Sequence, residues 1–169
     1  DIIDELKEYC DYLVLGQHEI IINNSYKSVY SKTFNKDDIK VYVDTVVKAM
    51  NTGLFKILAH PEIFMFNYQN FDEHCLAATR LIIEAAIKNN VVLEINANGI
   101  RRNKILGIPY DSESTYKYPL AAFWDVVKEY QIHNPNLNVI INDDSHYVDA
   151  LGDEFTELAY EFAKKHNIR

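Results

Sequence analysis

The fold is decided by a short apolar run near the middle of the chain, Val-Val-Leu-Glu-Ile at residues 91–95. Apolar and polar residues do not alternate in this run, which is typical of a strand covered on both faces in a parallel sheet. Three further runs of the same kind lie at residues 12–16, 55–59 and 138–141. Because a helical pattern follows each run, we predict an α/β fold with four parallel strands and right-handed crossovers. The sheet is expected to be open or part of a (β/α) barrel.

Residues that commonly begin or end helices flank several of the helical patterns. Apolar residues recur at helical spacing over residues 39–50, 76–86, 123–130 and 155–162. Gly53 closes the first helix and Pro119 opens the third. Asn70, with Glu73 three residues later, resembles a capping box before the second helix. Residues 100–117 show little periodicity, so a long functional loop is predicted there.

The composition narrows the class of protein. A chain of 169 residues with 48% hydrophobic residues fits one globular domain. The formal net charge of -8 argues against a general nucleic-acid surface, which needs a dominant basic face. No apolar run approaches the ~20 residues that span a bilayer, and no signal sequence opens the chain. With Cys10 and Cys75 expected to be buried, reduced thiols, we expect a cytoplasmic protein without membrane partners.

Four candidate metal ligands follow the predicted strands directly: His18, His60, Asp144 and His146. Loops beyond the carboxyl ends of parallel strands meet at one edge of the sheet, so these side chains are expected to share a site. Imidazole nitrogen and carboxylate oxygen together suit zinc, manganese or iron. Each residue also has a structural interpretation, because a strand-end histidine is ordinarily a hydrogen-bonding group and an Asp-Ser-His segment can form a turn.

Three more residues are candidates for a role beside these ligands: Glu94, Arg101 and Arg102. Glu94 interrupts an apolar strand, and a buried carboxylate must be satisfied by a cation, a metal or several donors. Arg101 and Arg102 follow a few residues later and are predicted either to contact an anionic substrate or to be solvated loop cations. The remaining histidines are expected at the surface: His74, His133 and His166.

Four segments resemble motifs of the PHP (polymerase and histidinol phosphatase) superfamily, and within it the histidinol-phosphate phosphatase branch. Leu-Gly-Gln-His at 15–18 resembles the family's Gly-Ser-Val-His strand end, and Leu-Ala-His-Pro at 58–61 resembles its Ala-His-Pro motif. Leu-Glu-Ile-Asn at 93–96, with Gly99 and Arg101, is similar to the family segment with a trailing Gly and basic residue. Asn-Asp-Asp-Ser-His at 142–146 resembles the Ser-Asp-Ala-His signature, with Asp143 in place of the usual Ser.

The resemblance implies a fold and a reaction. Residues 1–169 would be a single domain, the C-terminal part of a distorted (β/α)7 PHP barrel with parallel strands. The family's first His-x-His motif, a further His and a bridging Glu are not in the sequence. The chain also begins without Met and ends at the start of a new apolar run, so we expect it to be cut from something longer.

For a complete member, the resemblance implies hydrolysis of L-histidinol phosphate, late in histidine biosynthesis, with up to three divalent metal ions. His18, His60, Asp144 and His146 would hold metal, and Asp144 and His146 would be catalytic through it. A small phosphorylated metabolite would contact Arg101, while Glu94 and Asn96 support or position it. Two alternatives stay open: another PHP phosphoesterase, including the tyrosine-phosphatase branch, and a non-catalytic fragment. The oligomeric state is left open.

Overall fold

The computed structural model describes residues 5–6, 8–68, 70–109 and 116–169. Its strands are β1 (Leu13–Leu15), β2 (Glu19–Ile22), β3 (Ser25–Ser28), β4 (Phe55–Leu58), β5 (Val92–Asn96) and β6 (Val139–Asn142). Four of them form a sheet in the order β1-β4-β5-β6, and every neighbouring pair in it is parallel. The predicted α/β fold with four parallel strands is therefore confirmed.

The helices whose bounds lie within the described residues are α1 (Lys36–Asn51), α2 (Glu73–Asn89), α3 (Ala97–Ile105), α4 (Ala121–His133) and α5 (Glu154–Lys165). Two short 3-10 turns lie at Ile63–Met65 and Val148–Ala150. Helix α1 packs on α2, α2 on α4, and α3 on α5. None of the described helices is long and apolar enough to cross a membrane.

Strand β5, one of the two inner strands, is buried on both faces, as the lack of alternation in its sequence predicts. Leu93 and Ile95 are fully buried on one face. Glu94 and Asn96 alternate with them and are also buried, at 2% and 1% exposure. Polar groups this deep need hydrogen-bond partners, and both have them.

Local side-chain bonds fix where the helices begin. Asn35 and Asp38 form a capping box at the start of α1, each side chain accepting from the other's backbone N–H. The capping box predicted from Asn70 and Glu73 is wrong, because Asp72 caps α2 by accepting from the next two backbone N–H groups. An aspartate one residue before the helix is the better acceptor for those donors.

Two elements lie where loops were predicted. Strands β2 and β3 form an antiparallel hairpin after His18, turning at Asn23 and Asn24 with positive φ angles of 49° and 60°. Helix α3 occupies part of the stretch predicted to be irregular, and Asn96 caps it by accepting from the Gly99 N–H. Residues 1–6, Asp-Ile-Ile-Asp-Glu-Leu, are also in helical phase, but most of this predicted helix lies outside the described residues. Cys75 is buried as predicted, but Cys10 is exposed.

Candidate metal and anion site

The predicted ligands lie at one edge of the sheet, because all four strands are parallel. His18 follows β1, His60 follows β4, and Asp144 and His146 follow β6. His60 and Asp144 adopt left-handed backbone conformations, with φ of 33° and 45°. Such conformations are uncommon for residues other than glycine and concentrate at functional sites.

His18 and His60 form a close pair. Their Nε2 atoms are 3.1 Å apart, and their ring centroids are 4.8 Å apart. His60 is only 4% exposed, whereas His18 is exposed. Burial, followed by the neighbouring His18, lowers the pKa of His60 to about 4. His60 is therefore neutral at pH 7 and offers a nitrogen lone pair.

The spacing of the pair fits two ligands of one ion. Two imidazole nitrogens at ~2.0–2.1 Å from a tetrahedral ion lie roughly 3.3 Å apart, close to the distance observed. The second nitrogen of His60, Nδ1, is buried and has no hydrogen-bond partner among the described residues. A metal-bound histidine ordinarily donates a hydrogen bond from its other ring nitrogen, which fixes the ring orientation. No described residue accepts such a bond from His60 Nδ1.

Glu94 holds the strand ends together beneath the histidine pair. Its Oε2 accepts from the His60 backbone N–H at 3.1 Å and from Asn96 Nδ2 at 2.9 Å. Its Oε1 accepts from Asn142 Nδ2 at 2.8 Å. Burial raises the pKa of Glu94, and these hydrogen bonds oppose the rise. Glu94 thus joins β4, β5 and β6, and with Asn96 it supports the site from below.

Asp144 and His146 contribute less to the cluster than predicted. Asp144 Oδ2 accepts from Asn98 Nδ2 at 3.3 Å, and its charge acts on the pKa of His60. His146 is exposed, with Nδ1 2.9 Å from the Asp144 carbonyl oxygen. Within the part of the chain that the structure describes, no three His, Cys, Asp or Glu side chains gather as a metal site requires. The structure thus unites His18 and His60, with Asp144 in electrostatic reach.

Arg101 and Arg102 have different surroundings. The Arg101 guanidinium bonds Asp153 at 2.8 Å through Nε, and Asp143 at 3.0 Å through a terminal nitrogen. The Asp143 and Ala150 carbonyl oxygens accept its other bonds. Arg102 has no ion-pair partner among the described residues, and its Cζ lies 5.3 Å from the Tyr30 ring centroid. Because its charge lowers the pKa of His60, Arg102 is the cation in reach of the histidines.

Aromatic rings lie against both histidines of the pair. Tyr30 stacks on His18 with centroids 6.2 Å apart, and Tyr118 meets His60 edge-on at 6.0 Å. Phe66 contacts both tyrosines. Burial raises the pKa of Tyr30, and a hydrogen bond from Tyr118 opposes the rise. Tyr118 was missed by sequence analysis, because the segment before Pro119 has no periodicity that would place it.

No protein-family model matches the chain, and no curated protein matches its sequence. Membership of the PHP superfamily therefore stays a prediction that rests on the four sequence motifs.

Proposed function

We propose that the chain forms the metal- and phosphate-binding part of a phosphomonoester hydrolase of the PHP type. The observation that carries the proposal is the His18–His60 pair, with Nε2 atoms 3.1 Å apart at the carboxyl ends of two adjacent parallel strands. Imidazole nitrogen and a nearby carboxylate oxygen are ligand types that divalent metal ions bind. By the motif resemblance, the substrate is L-histidinol phosphate and the products are L-histidinol and phosphate.

Each residue has a role that its surroundings support. His18 and His60 would hold the ion, Asp144 would be the next ligand, and His146 remains a predicted one. Bound metal supplies a Lewis acid and an activated water for phosphoryl transfer. Arg102, which has no ion-pair partner among the described residues, offers its guanidinium to phosphoryl oxygens. Glu94 fixes the His60 backbone, and Tyr118 packs against the buried His60 ring.

A second candidate is a domain that keeps these strand-end residues without catalysis. The observation in its favour is that only two imidazoles converge among the described residues, where a catalytic zinc site ordinarily has three protein ligands. With fewer ligands, metal affinity falls and less of the binding energy supports the fold.

Metal titration tests whether His18 and His60 hold a metal ion. Purified chain is titrated with Co²⁺ and followed by visible absorbance, for wild type, His18→Ala, His60→Ala and the control His74→Ala, whose residue lies exposed on α2. We expect saturable binding that each site variant weakens about tenfold or more, while the control binds as wild type does. Wild-type affinity in His60→Ala would refute the metal assignment.

Activity is measured on the same samples, loaded with Zn²⁺, Mn²⁺ or Co²⁺. The substrates are p-nitrophenyl phosphate and L-histidinol phosphate. Turnover that His60→Ala abolishes and His74→Ala retains supports the hydrolase. Metal binding without turnover of either ester favours the non-catalytic candidate instead.

A further inference from the structure

We propose that a cleft between α3 and the loop after β6 binds the leaving group of the substrate, and that this group is apolar and about the size of one ring. The inference rests on the proposed phosphomonoester function, and it favours an ester with an apolar leaving group over L-histidinol phosphate, whose leaving group carries an amine and an imidazole. The cleft has a volume of about 500 Å³ and includes His146 in its wall. It adjoins the candidate site, because Asn98 in its wall bonds Asp144, and Arg102 lies over Tyr30, which stacks on His18.

Part of the cleft lining suits an anion. Asn98, Arg102 and His146 contribute polar groups to it. Arg101 also lines the cleft, but Asp143 and Asp153 compensate its charge. Arg102 has no such partner among the described residues, so its guanidinium is the cation left to meet a phosphoryl group. In a chain with a formal net charge of -8, such a cation is a local feature and not part of a basic surface.

The same cleft also has apolar walls. Phe66, Leu106 and Tyr147 form them, together with Ile105. Ile105 is 83% exposed and Tyr147 is 79% exposed, and Val148 and Leu151 extend the apolar surface along the loop after β6. Large apolar side chains grouped around a cleft mark a ligand-binding surface. A ligand that carries both a phosphoryl group and an apolar ring matches this mixed lining.

Matched phosphonates test the proposal without metal or turnover. EDTA-treated chain is titrated by calorimetry with methylphosphonate and with benzylphosphonate, which share the anionic group and differ in the ring. We expect benzylphosphonate to bind about tenfold more tightly, since partial burial of a ring contributes roughly 1–2 kcal/mol. Equal affinities for the two phosphonates would overturn the proposal.

Variants locate the effect. Leu106→Gln should reduce the benzyl-to-methyl ratio to about twofold or less, while methylphosphonate affinity changes little. Ile132→Gln is the matched control, because Ile132 is a 68% exposed aliphatic side chain on α4. An unchanged ratio in Leu106→Gln, with the protein still folded by circular dichroism, places the ring elsewhere and refutes the cleft.

The outcome is independent of catalysis. A chain that holds no metal and hydrolyses no ester still passes the phosphonate test if the cleft binds as proposed. Conversely, an active phosphatase with equal affinity for both phosphonates fails it. The failure of this proposal and the failure of the proposed function can therefore be told apart.

Discussion

At Gly99 a single absent side chain sets the position of the site. A Cβ atom there would overlap both the ring and the carbonyl oxygen of Tyr118. Tyr118 in turn packs its ring against His60. The trailing glycine of the family-like motif is thus explained by close approach of the chain to Tyr118 and not by a positive φ.

Gly99→Ala should destabilise the protein by about 1–3 kcal/mol, because the Tyr118 backbone must move to make room. The free energy of unfolding is measured with urea. Gly16→Ala is the control, since a Cβ at Gly16 meets only His18 Cε1, at an ordinary 3.6 Å. We expect the control to change stability by less than about 1 kcal/mol. Equal losses in the two variants would contradict the role given to Tyr118.

Helix α3, the loop after β6 and the start of α5 are joined by Arg101. Asp153 caps α5 through the Phe155 N–H, and Asp143 accepts from the Gly152 N–H. Hydrogen bonds and the guanidinium charge together hold the pKa of both carboxyls below the ordinary range. Arg101 therefore fixes the loop that carries the predicted ligands Asp144 and His146.

Arg101→Gln should destabilise the protein by about 2 kcal/mol or more, because two partly buried carboxylates lose their partner. Hydrogen exchange at the Gly152 amide should accelerate as the loop opens. Lys104→Gln is the control, because its pair with Glu154 is about two-thirds exposed and worth little. If Arg101→Gln kept full stability but lost phosphate binding, the substrate contact predicted from sequence would replace the structural role.

Global stability should depend on pH through Glu62, which joins the end of β4 to the start of α4. Its Oε1 accepts from Trp124 Nε1 at 2.7 Å and from the Leu120 N–H at 3.3 Å. Its Oε2 is buried without a partner among the described residues. Burial raises the pKa of Glu62 to about 7 from an ordinary 4.5. The folded protein thus binds a proton that the unfolded chain releases.

A raised folded-state pKa gives stability that is complete below pH 4.5 and is lost as pH rises through 7. Glu62→Gln removes this dependence, so relative to wild type it should gain roughly 3 kcal/mol between pH 4.5 and pH 8. Urea unfolding at several pH values measures the difference. The lowered pKa of His60 costs stability below pH 6.5, but it affects both proteins and cancels. Glu84→Gln, which replaces an exposed carboxylate, is the control, and its free energy of unfolding relative to wild type should not change with pH. If the value for Glu62→Gln were equally independent of pH, the raised pKa of Glu62 would be refuted.

The sequence by itself determined the sheet and the edge that carries the site. Short runs without alternation marked the strands, and parallel pairing follows from the helices between them. The predicted burial on both faces holds for β5 alone of the four, since Val14, Lys56 and Ile140 are exposed. Placing His18, His60, Asp144 and His146 at one edge needed nothing more. The β2–β3 hairpin was not predicted, because its short strands flank two asparagines and lack the glycine that usually marks a hairpin turn.

Only the tertiary structure decided which side chains meet. Arg101 and Arg102 are adjacent in sequence, but successive residues of a helix point about 100° apart. One therefore faces Asp143 and Asp153, and the other lies over Tyr30. With α3 predicted as loop, no periodicity was available to tell them apart. The approach of His18 to His60, and of Tyr118 to both Gly99 and His60, likewise depends on packing between segments distant in sequence, which local patterns do not encode.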